Sequence, residues 1–548
     1  MPAGETPAGA AAAAGAVTRA ERLNTRAAGV VGLAVLCSRV LGLAREQIFA
    51  ALFGGGRVMD AFTIAFRIPN LLRDLFAEGA LSTAFVTVFT RTAALEDDAA
   101  AWRLANKVAT LTIVCLSAIT VLGIVSAPWL VAALAPGFDP DKAALTVTLT
   151  RVMYPFILLV SLAALVMGML NARNVFGIPA MASSFFNLGS IAGGVILGYW
   201  LDPHFGPRAI FGLAIGTLIG GALQLLVQLP SLRRQGHAFR ADWHWRDAGV
   251  AAILRLMAPS MIAASTTQVN VLVNSVFASE LGDGPTFWLT VAFRLMQLPL
   301  GIFGVALGTV TLPLLARLAA TGNRQAFRGE LARGMRLAFL MTLPASIGLM
   351  VLAEPIISVL YQHGRFGAHE TAESAGALRF YAIGLCGYAA LKVLVNAFYA
   401  LDKRRTPMVV SFVAVGVNLL LNWVFTMRLG WGHRGLALST ACVASSNFLI
   451  LYFLMRSHLG RLESRTMLAL LGKVALASAV LFIIAWAGAH LLLADWAVQP
   501  FWPKCLSLLL VIAAAAGAFF LSAGALRIGE VRDLAAGVRR RLAARGLK

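Results

Sequence analysis

The residues that could do chemistry are ionisable side chains inside two apolar segments between Ser38 and Arg91. Each segment is long enough to cross a bilayer, and a glycine turn at 54–56 joins them. The ionisable residues are Arg39, Arg45, Glu46, Asp60, Arg67, Arg73, Asp74 and Glu78. Because charge at membrane depth is costly, such residues face protein or a water-filled cavity and usually mark a transport path. For the acids and the arginines alike, the alternative is internal salt bridges that only hold helices together.

The spacing of these residues favours a cavity. At 100° per residue, one narrow face of the second helix carries five polar residues. They are Asp60, Arg67, Asn70, Asp74 and Glu78. Pro69 lies within this face and predicts a kink, because proline removes a backbone donor. We assign these five residues, together with Arg73, to the lining and gating of the cavity.

The composition is that of a membrane protein. The chain has 548 residues, of which 59% are hydrophobic and only 13% charged, against about 25% in a soluble domain. Its mean hydropathy is +0.79. The formal charge of +21 does not indicate nucleic-acid binding, since the basic residues cluster in short connections between apolar segments. The sequence predicts an all-α polytopic membrane protein.

Fourteen transmembrane helices are predicted, and the loop charges orient them. The spans are approximately 27–52, 60–90, 108–135, 144–171, 179–200, 209–230, 248–279, 286–316, 337–361, 375–401, 407–427, 435–455, 467–493 and 502–526. Lysines and arginines are far more frequent in alternate connections, beginning with the N-terminal segment. Such connections lie on the cytoplasmic side, so both termini are predicted to be cytoplasmic.

A short internal repeat predicts two pseudo-symmetric lobes. The tripeptide Ala65-Phe66-Arg67 recurs as Ala292-Phe293-Arg294, and the shift between them superimposes spans one and two on spans seven and eight. Such repeats usually frame a binding site near the membrane midplane. The predicted organisation is a disordered cytoplasmic tail (1–26), an N-lobe of six helices (27–231), a C-lobe of six helices (247–458), helices 13 and 14 (466–527) and a basic cytoplasmic tail (528–548).

The charge balance within the spans predicts an anionic substrate, and the absence of catalytic motifs predicts a protein without enzymatic activity. Arginines and lysines outnumber acids there, and Arg294 and Gln297 share one helical face in span eight. A cavity lined in this way suits an anion. The sequence contains no P-loop, HExxH or GxSxG motif. We therefore predict a transporter, not an enzyme, with no cofactor and no metal site.

Three stretches carry a resemblance to a known family. They are SRVLGLARE, DAFTIAFRIPNLLRDLFAEGALSTAF and FRLMQLPLGIFGVALGT. Over roughly residues 27–527 the chain resembles the MurJ (MviN) family of lipid II flippases, in the superfamily of multidrug and polysaccharide-lipid exporters. The resemblance implies a V-shaped central cavity and a groove at helices 13 and 14 for a polyprenyl tail. It also implies movement of lipid II from the cytoplasmic to the periplasmic leaflet of the bacterial inner membrane, for peptidoglycan synthesis.

The resemblance also implies roles for individual residues. The family's essential cavity arginines correspond to Arg39, Arg45 and Arg294, which would bind the diphosphate, and its essential acid corresponds to Asp60. Many members carry aspartate and glutamate in span eight where this chain has Phe293 and Gln297, which puts in doubt any role for a carboxylate there. Some members bind sodium between spans seven, eleven and twelve. Asn418 and Asn422 match part of that pattern without its aspartate, and no sodium site is predicted.

Two other classes of protein remain as alternatives. A cation-coupled exporter of drugs or of other polysaccharide lipids would share the lobes, but it should carry cavity carboxylates for cationic drugs. A membrane enzyme would need a catalytic constellation, which the sequence lacks. The expected partners are lipid II and membrane lipids, and the sequence points to no protein partner and to no nucleic acid.

Overall fold

Apolar helices make up nearly all of the chain. The structure, a computed structural model, describes residues 7–76, 81–493 and 499–532, and no β-strand occurs among them. The first ten helices are α1 Pro7–Phe53, α2 Arg57–Phe76, α3 Ser82–Leu95, α4 Asp98–Leu134, α5 Pro140–Met153, α6 Phe156–Ala172, α7 Gly177–Leu201, α8 Ile210–Leu226, α9 Leu229–Arg234 and α10 Ala248–Ser279. The next ten are α11 Pro285–Pro299, α12 Val305–Ala320, α13 Arg324–Val351, α14 Ala353–Tyr361, α15 Ala368–Ile383, α16 Leu385–Ala400, α17 Arg405–Asn422, α18 Gly432–Leu459, α19 Ser464–Leu491 and α20 Phe501–Ala525.

The polytopic all-α class predicted from the sequence is confirmed. Ten segments of the described chain are long and apolar enough to cross a membrane, or eleven if α15 and α16, bent by 43° relative to each other, form one span. The predicted span 248–279 has the same bounds as α10, which is not among those ten segments of the described chain. Other predicted spans are interrupted: π-helical turns follow α11 at Leu300–Gly304 and α17 at Trp423–Arg428. The count of fourteen stays a prediction.

The N-terminal segment differs from the sequence prediction of a disordered tail. Helix α1 begins at Pro7 and runs to Phe53 without a break. An alanine-rich run covers residues 8–16, and alanine has the highest intrinsic helix propensity, which accounts for the extension. Residues 1–6 lie outside the described chain, as do residues 533–548 of the predicted basic C-terminal tail.

The chain divides into two compact units. Unit 1 comprises Met1–Phe49, Ala61–Ala132 and Pro140–Ser265, and unit 2 comprises Ala50–Asp60, Ala133–Asp139 and Thr266–Lys548. The boundary therefore falls inside α10, and not in the connection after residue 231 as the predicted lobes had it. Within unit 2, the tip of the first hairpin is held by a backbone bond of 2.8 Å from the Arg365 nitrogen to the Ala51 oxygen.

Each unit has its own apolar core. In unit 1, α3, α4 and α6 meet around Phe85, Leu104 and Met169. In unit 2, α13, α19 and α20 meet around residues that include Val474 and Phe519. The two C-terminal helices thus pack on each other and on α13. Their outward faces carry exposed leucine, isoleucine and tryptophan side chains, as expected for helices that face lipid.

In unit 1, α7 and α8 form a very close helical hairpin. Glycines on the two helices face each other at several levels, so that a Cβ added to Gly212 would lie 2.2 Å from the Gly198 nitrogen. A Cβ added to Gly216 would lie 2.4 Å from the Gly194 nitrogen. Small residues of this kind let transmembrane helices approach at backbone distance. The hairpin is therefore a rigid support for the side chains that α7 presents to α1.

The connection from α9 to α10 lies along α4. The Asp242 nitrogen donates to Thr110 Oγ1 at 3.0 Å, and Lys107 Nζ donates to Asp247 at 2.7 Å. The bond from Lys107 lowers the pKa of Asp247. The His237 ring stacks on Trp102 with 4.8 Å between ring centres, and burial lowers the pKa of His237. This connection, residues 236–247, is thus an ordered strap on unit 1, which we call the 236–247 strap.

Candidate functional site

The two arginines predicted for α1 lie in unit 1, within an apolar stretch of that helix. Arg39 is exposed and Arg45 is half-buried. The guanidinium carbon of Arg45 lies 5.1 Å from the centre of the Phe186 ring on α7. A cation over an aromatic face is attracted by the ring quadrupole. Helix α1 therefore carries permanent positive charge at two neighbouring turns of an apolar stretch.

Asp60 has a different setting, in unit 2. Its carboxylate is fully buried and accepts hydrogen bonds from the Gly284 nitrogen at 2.6 Å and the Phe287 nitrogen at 2.9 Å. Gly284 directly precedes α11, so Asp60 caps that helix from a distant part of the sequence. A carboxylate is favoured at this position because the first N–H groups of a helix lack internal partners and its N-terminus is electropositive.

The close packing of the turns around Asp60 depends on glycine. Gly284 adopts φ of +108°, and an added Cβ would lie 2.2 Å from the Trp288 ring. Beside it, a Cβ added to Gly55 would lie 2.9 Å from Glu370. Arg57, next to this turn, forms an ion pair with Asp139. The predicted glycine turn at 54–56 is therefore a tightly packed element of unit 2.

The other residues predicted on the second helix lie in unit 1. Arg67, Asn70, Arg73 and Asp74 are all half-buried. The sequence neighbours Arg73 and Asp74 form an ion pair of 2.9 Å. Pro69 lies inside α2, which continues to Phe76. Glu78 lies outside the described residues, so the predicted polar face is described only as far as Asp74.

Arg294 and Gln297 lie on α11 in unit 2. Arg294 is half-buried and Gln297 is exposed. Phe293 contacts Tyr381 of α15 edge-on with 5.4 Å between ring centres. A π-helical turn follows α11 at Leu300–Gly304. The backbone therefore departs from regular α-helix six residues after Arg294. Single π-turns often occur at functional sites.

The amides of span eleven form an interhelical hydrogen-bond network. Asn422 donates to Asn274 of α10 at 2.7 Å and to Asn418 at 3.1 Å. Asn274 donates to Thr440 of α18 at 3.2 Å, and Asn418 donates to Ser439 at 3.3 Å. Polar bonds of this kind hold membrane helices together. Among the described residues, no group of three or more His, Cys, Asp or Glu side chains is placed to hold a metal ion.

Sequence reasoning missed two residues on α7 that contact α1. Phe186 lies under Arg45, and Asn187 donates a hydrogen bond of 3.1 Å to the Ser38 oxygen. The one available signal was an asparagine in the otherwise apolar and small-residue segment SSFFNLGS. A lone amide in a membrane helix usually bonds a neighbouring helix, but the sequence does not say which one.

The fold and these polar residues define a class of protein, a polytopic membrane transporter. A solved multidrug transporter of the MATE family, in an inward-facing conformation, matches with a TM-score of 0.66 at 16% identity over 78% of this chain and 96% of that chain. At that identity the likeness shows the fold alone. A solved structure described as "Lipid II flippase MurJ, inward closed conformation" matches with a TM-score of 0.72 at 25% identity, over 89% of this chain and 98% of that chain.

Sequence comparisons identify the family. Residues 49–507 match the family described as "Lipid II flippase MurJ". A lipid II flippase MurJ of Burkholderia cenocepacia is 37% identical over 432 residues, which cover 77% of this chain and 82% of that protein. A probable lipid II flippase MurJ of Rhizobium meliloti is 33% identical over 502 residues, covering 89% and 91%. The chain belongs to the MurJ family, and the resemblance noted in the sequence is confirmed.

Proposed function

We propose that this protein is a lipid II flippase, which moves a polyprenyl-diphosphate-linked peptidoglycan precursor from the cytoplasmic to the periplasmic leaflet by alternating access. Membership of the MurJ family supports lipid II as the substrate and flipping as the activity. The observation that carries the proposal is the presence of Arg39 and Arg45 at neighbouring turns of the apolar part of α1. Intramembrane charge of this kind is functional by default.

The chemistry of the substrate fits arginine. A diphosphate presents several anionic oxygens, and the planar guanidinium makes paired, charge-assisted hydrogen bonds to such groups. We assign diphosphate binding to Arg39, Arg45 and Arg294. Asp60, Arg67, Asn70, Arg73, Asp74, Glu78 and Gln297 are assigned to lining and gating. The headgroup requires a hydrated path, whereas the polyprenyl tail is apolar and stays in lipid. No covalent step is required of the protein.

A test in the native cell separates this function from its rival. On depletion of the protein, the lipid-linked precursor should accumulate on the inner leaflet, and re-expression should clear it. Depletion that leaves the precursor unchanged but makes cells sensitive to cationic drugs would support a multidrug exporter instead. The MATE fold likeness makes that rival the appropriate comparison.

The orientation is part of the proposal: a multi-pass protein of the bacterial inner membrane with both termini in the cytoplasm. Cysteines at Gly56 and Gln235 test it, because an added side chain at Gly56 meets nothing within 4 Å and Gln235 is exposed. An impermeant thiol reagent should label Gly56→Cys in intact cells and Gln235→Cys only after permeabilisation. The native cysteines require a background in which they are replaced. Labelling of Gln235→Cys alone in intact cells would reverse the orientation.

A further inference from the structure

Two consecutive residues of α7, Phe186 and Asn187, contact the part of α1 that carries Arg39 and Arg45. Both contacts lie within unit 1. One is made to a charged side chain and the other to the backbone one residue before Arg39. Together they fix the position of α1 in two independent ways at neighbouring turns.

Phe186, which contacts Arg45, is itself closely packed on two sides. Its side chain is buried, and the Phe156 ring lies 5.5 Å from it at an angle of 42°. On the other side, a Cβ added to Gly220 of α8 would lie 2.5 Å from the Phe186 oxygen. The α7–α8 hairpin therefore fixes the backbone of Phe186, and Phe156 fixes its ring. The contact is an attraction between the guanidinium charge and the ring, so it uses no N–H group of Arg45.

Asn187 joins α7 to the turn that carries Arg39. Its Nδ2 donates to the Ser38 oxygen and to the Ser183 oxygen, each at 3.1 Å. The amide lies against Gly42, where an added Cβ would be 3.5 Å from Nδ2. With both hydrogens of the amide used, Asn187 connects the two helices at a fixed distance. The Ser38 oxygen is thereby held, and Arg39 follows it directly in the chain.

We propose that Phe186 and Asn187 are positioning residues that preset the α1 arginines for an anionic diphosphate. The inference rests on the proposed function, because it takes Arg39 and Arg45 as ligands of the diphosphate. Phe186 sets the plane of the Arg45 fork, and Asn187 sets the height and rotation of α1 at Arg39. A fork that is already oriented loses less side-chain entropy when it binds.

The first experiment separates ring stacking from packing. Undecaprenyl diphosphate is the probe, and its affinity is measured with the full chain in nanodiscs. Phe186→Leu should weaken binding by about threefold to twentyfold, the range of a partly desolvated cation–π contact. Phe186→Tyr, which keeps the ring face, should restore wild-type affinity. The matched control is Phe85→Leu, which removes a buried ring from the separate core formed by α3, α4 and α6 and should change affinity little.

A double-mutant cycle tests whether Phe186 acts through Arg45. Phe186→Leu combined with Arg45→Ala should bind no more weakly than Arg45→Ala alone, because the group that Phe186 positions is gone. Strictly additive losses would overturn the positioning role. If Arg45→Ala itself leaves affinity unchanged, the proposed diphosphate site fails. If Arg45→Ala weakens binding while Phe186→Leu behaves like Phe85→Leu, only the positioning role fails.

The second contact has a control on the same helix. Asn187→Ala removes both donated bonds and should weaken probe binding by about threefold to tenfold, the equivalent of a hydrogen bond or two. Ser190→Ala is the matched control, since the buried Ser190 hydroxyl has no hydrogen-bond partner in the described part of the chain. The melting temperature is recorded for each variant. Equal losses of affinity for Asn187→Ala and Ser190→Ala would contradict the inference. So would a loss for Asn187→Ala that disappears once added lipid has restored the stability of the variant.

Discussion

The tip of the first hairpin and the C-terminal part of α1 each carry charged residues in an apolar stretch of sequence, but the surroundings of these residues differ. Asp60, at the tip, is fully buried and accepts two backbone hydrogen bonds from the start of α11. Arg39, on α1, is exposed, and Arg45 is half-buried over an aromatic ring. The acid is a cap for a helix, whereas the arginines carry charge that no backbone cap accounts for.

Because of this difference, substitutions in the two regions should have different consequences. Removing a buried acceptor leaves backbone donors unpaired, which lowers the free energy of unfolding. Removing an arginine from α1 is expected to affect ligand binding more than folding. Substitutions in the two regions should therefore separate stability from transport.

The largest effect is expected at the arginines. Arg39→Ala, Arg45→Ala and Arg294→Ala should each abolish transport of the lipid-linked precursor while the protein remains inserted and folded. The lysine variants should restore only part of it, because a point charge lacks the planar fork. Transport is measured in a depletion strain, with thermal stability in detergent as the control. Unstable alanine variants together with fully active lysine variants would make the arginines structural and remove the contrast with Asp60.

The next effect is expected at Asp60 and should appear first as lost stability. Asp60→Ala leaves the Gly284 and Phe287 nitrogens without their acceptor and should cost about 1–3 kcal/mol. The free energy of unfolding measured in detergent with denaturant is the readout. Asp283→Ala is the control, since that side chain is exposed by 48% and lies on the same loop. Unchanged stability of Asp60→Ala with full loss of transport would place Asp60 with the arginines.

A third effect is expected in the α7–α8 hairpin, which supports the contacts to α1. Gly216→Ala would bring a Cβ to 2.4 Å from the Gly194 nitrogen, so the helices must separate and Phe186 must move with α7. We expect a lower melting temperature and several-fold weaker diphosphate binding. Gly517→Ala on α20 is the control, because nothing lies within 4 Å of its added Cβ. A hairpin that tolerates the Gly216 change would show that Phe186 does not depend on this support.

The smallest effect is expected in the 236–247 strap. Burial lowers the pKa of His237 from the usual 6.5, so the undocked strap binds more protons than the docked strap. The docked strap is therefore fully stable above about pH 6.5 and loses stability as the pH falls through that value. Asp247 does not contribute in this range, since its lowered pKa lies below 3.8.

Hydrogen exchange at the Asp242 amide measures this loss. Corrected for intrinsic rate, exchange should accelerate by up to about tenfold per unit between pH 6.5 and pH 5. His237→Phe keeps the ring stack on Trp102 and should remove the pH dependence. A profile that His237→Phe leaves unchanged would mean that another group controls docking of the strap.

Much of the fold was predictable because the local composition of a segment determines whether it forms a transmembrane helix. A long apolar run must be a helix in lipid, where each backbone group needs an internal partner. The span predicted at 248–279 therefore coincides with α10. The predicted N-terminal disorder is not observed from Pro7 on, since alanine propensity favours helix independently of burial. The unit boundary inside α10 was not predictable, because it depends on which residues meet in space.

The sequence by itself determined the membrane class, the family and the positions of the charged residues, since these follow from hydropathy and from local motifs. Only the tertiary structure decided what each charge contacts. Asp60 and the Gly284 nitrogen are far apart in the chain, as are Arg45 and Phe186, and no local pattern encodes either pair. Burial, hydrogen bonding and stacking are set by distant residues that the folded chain brings together. One charged residue therefore becomes a helix cap, and another becomes a candidate ligand for phosphate.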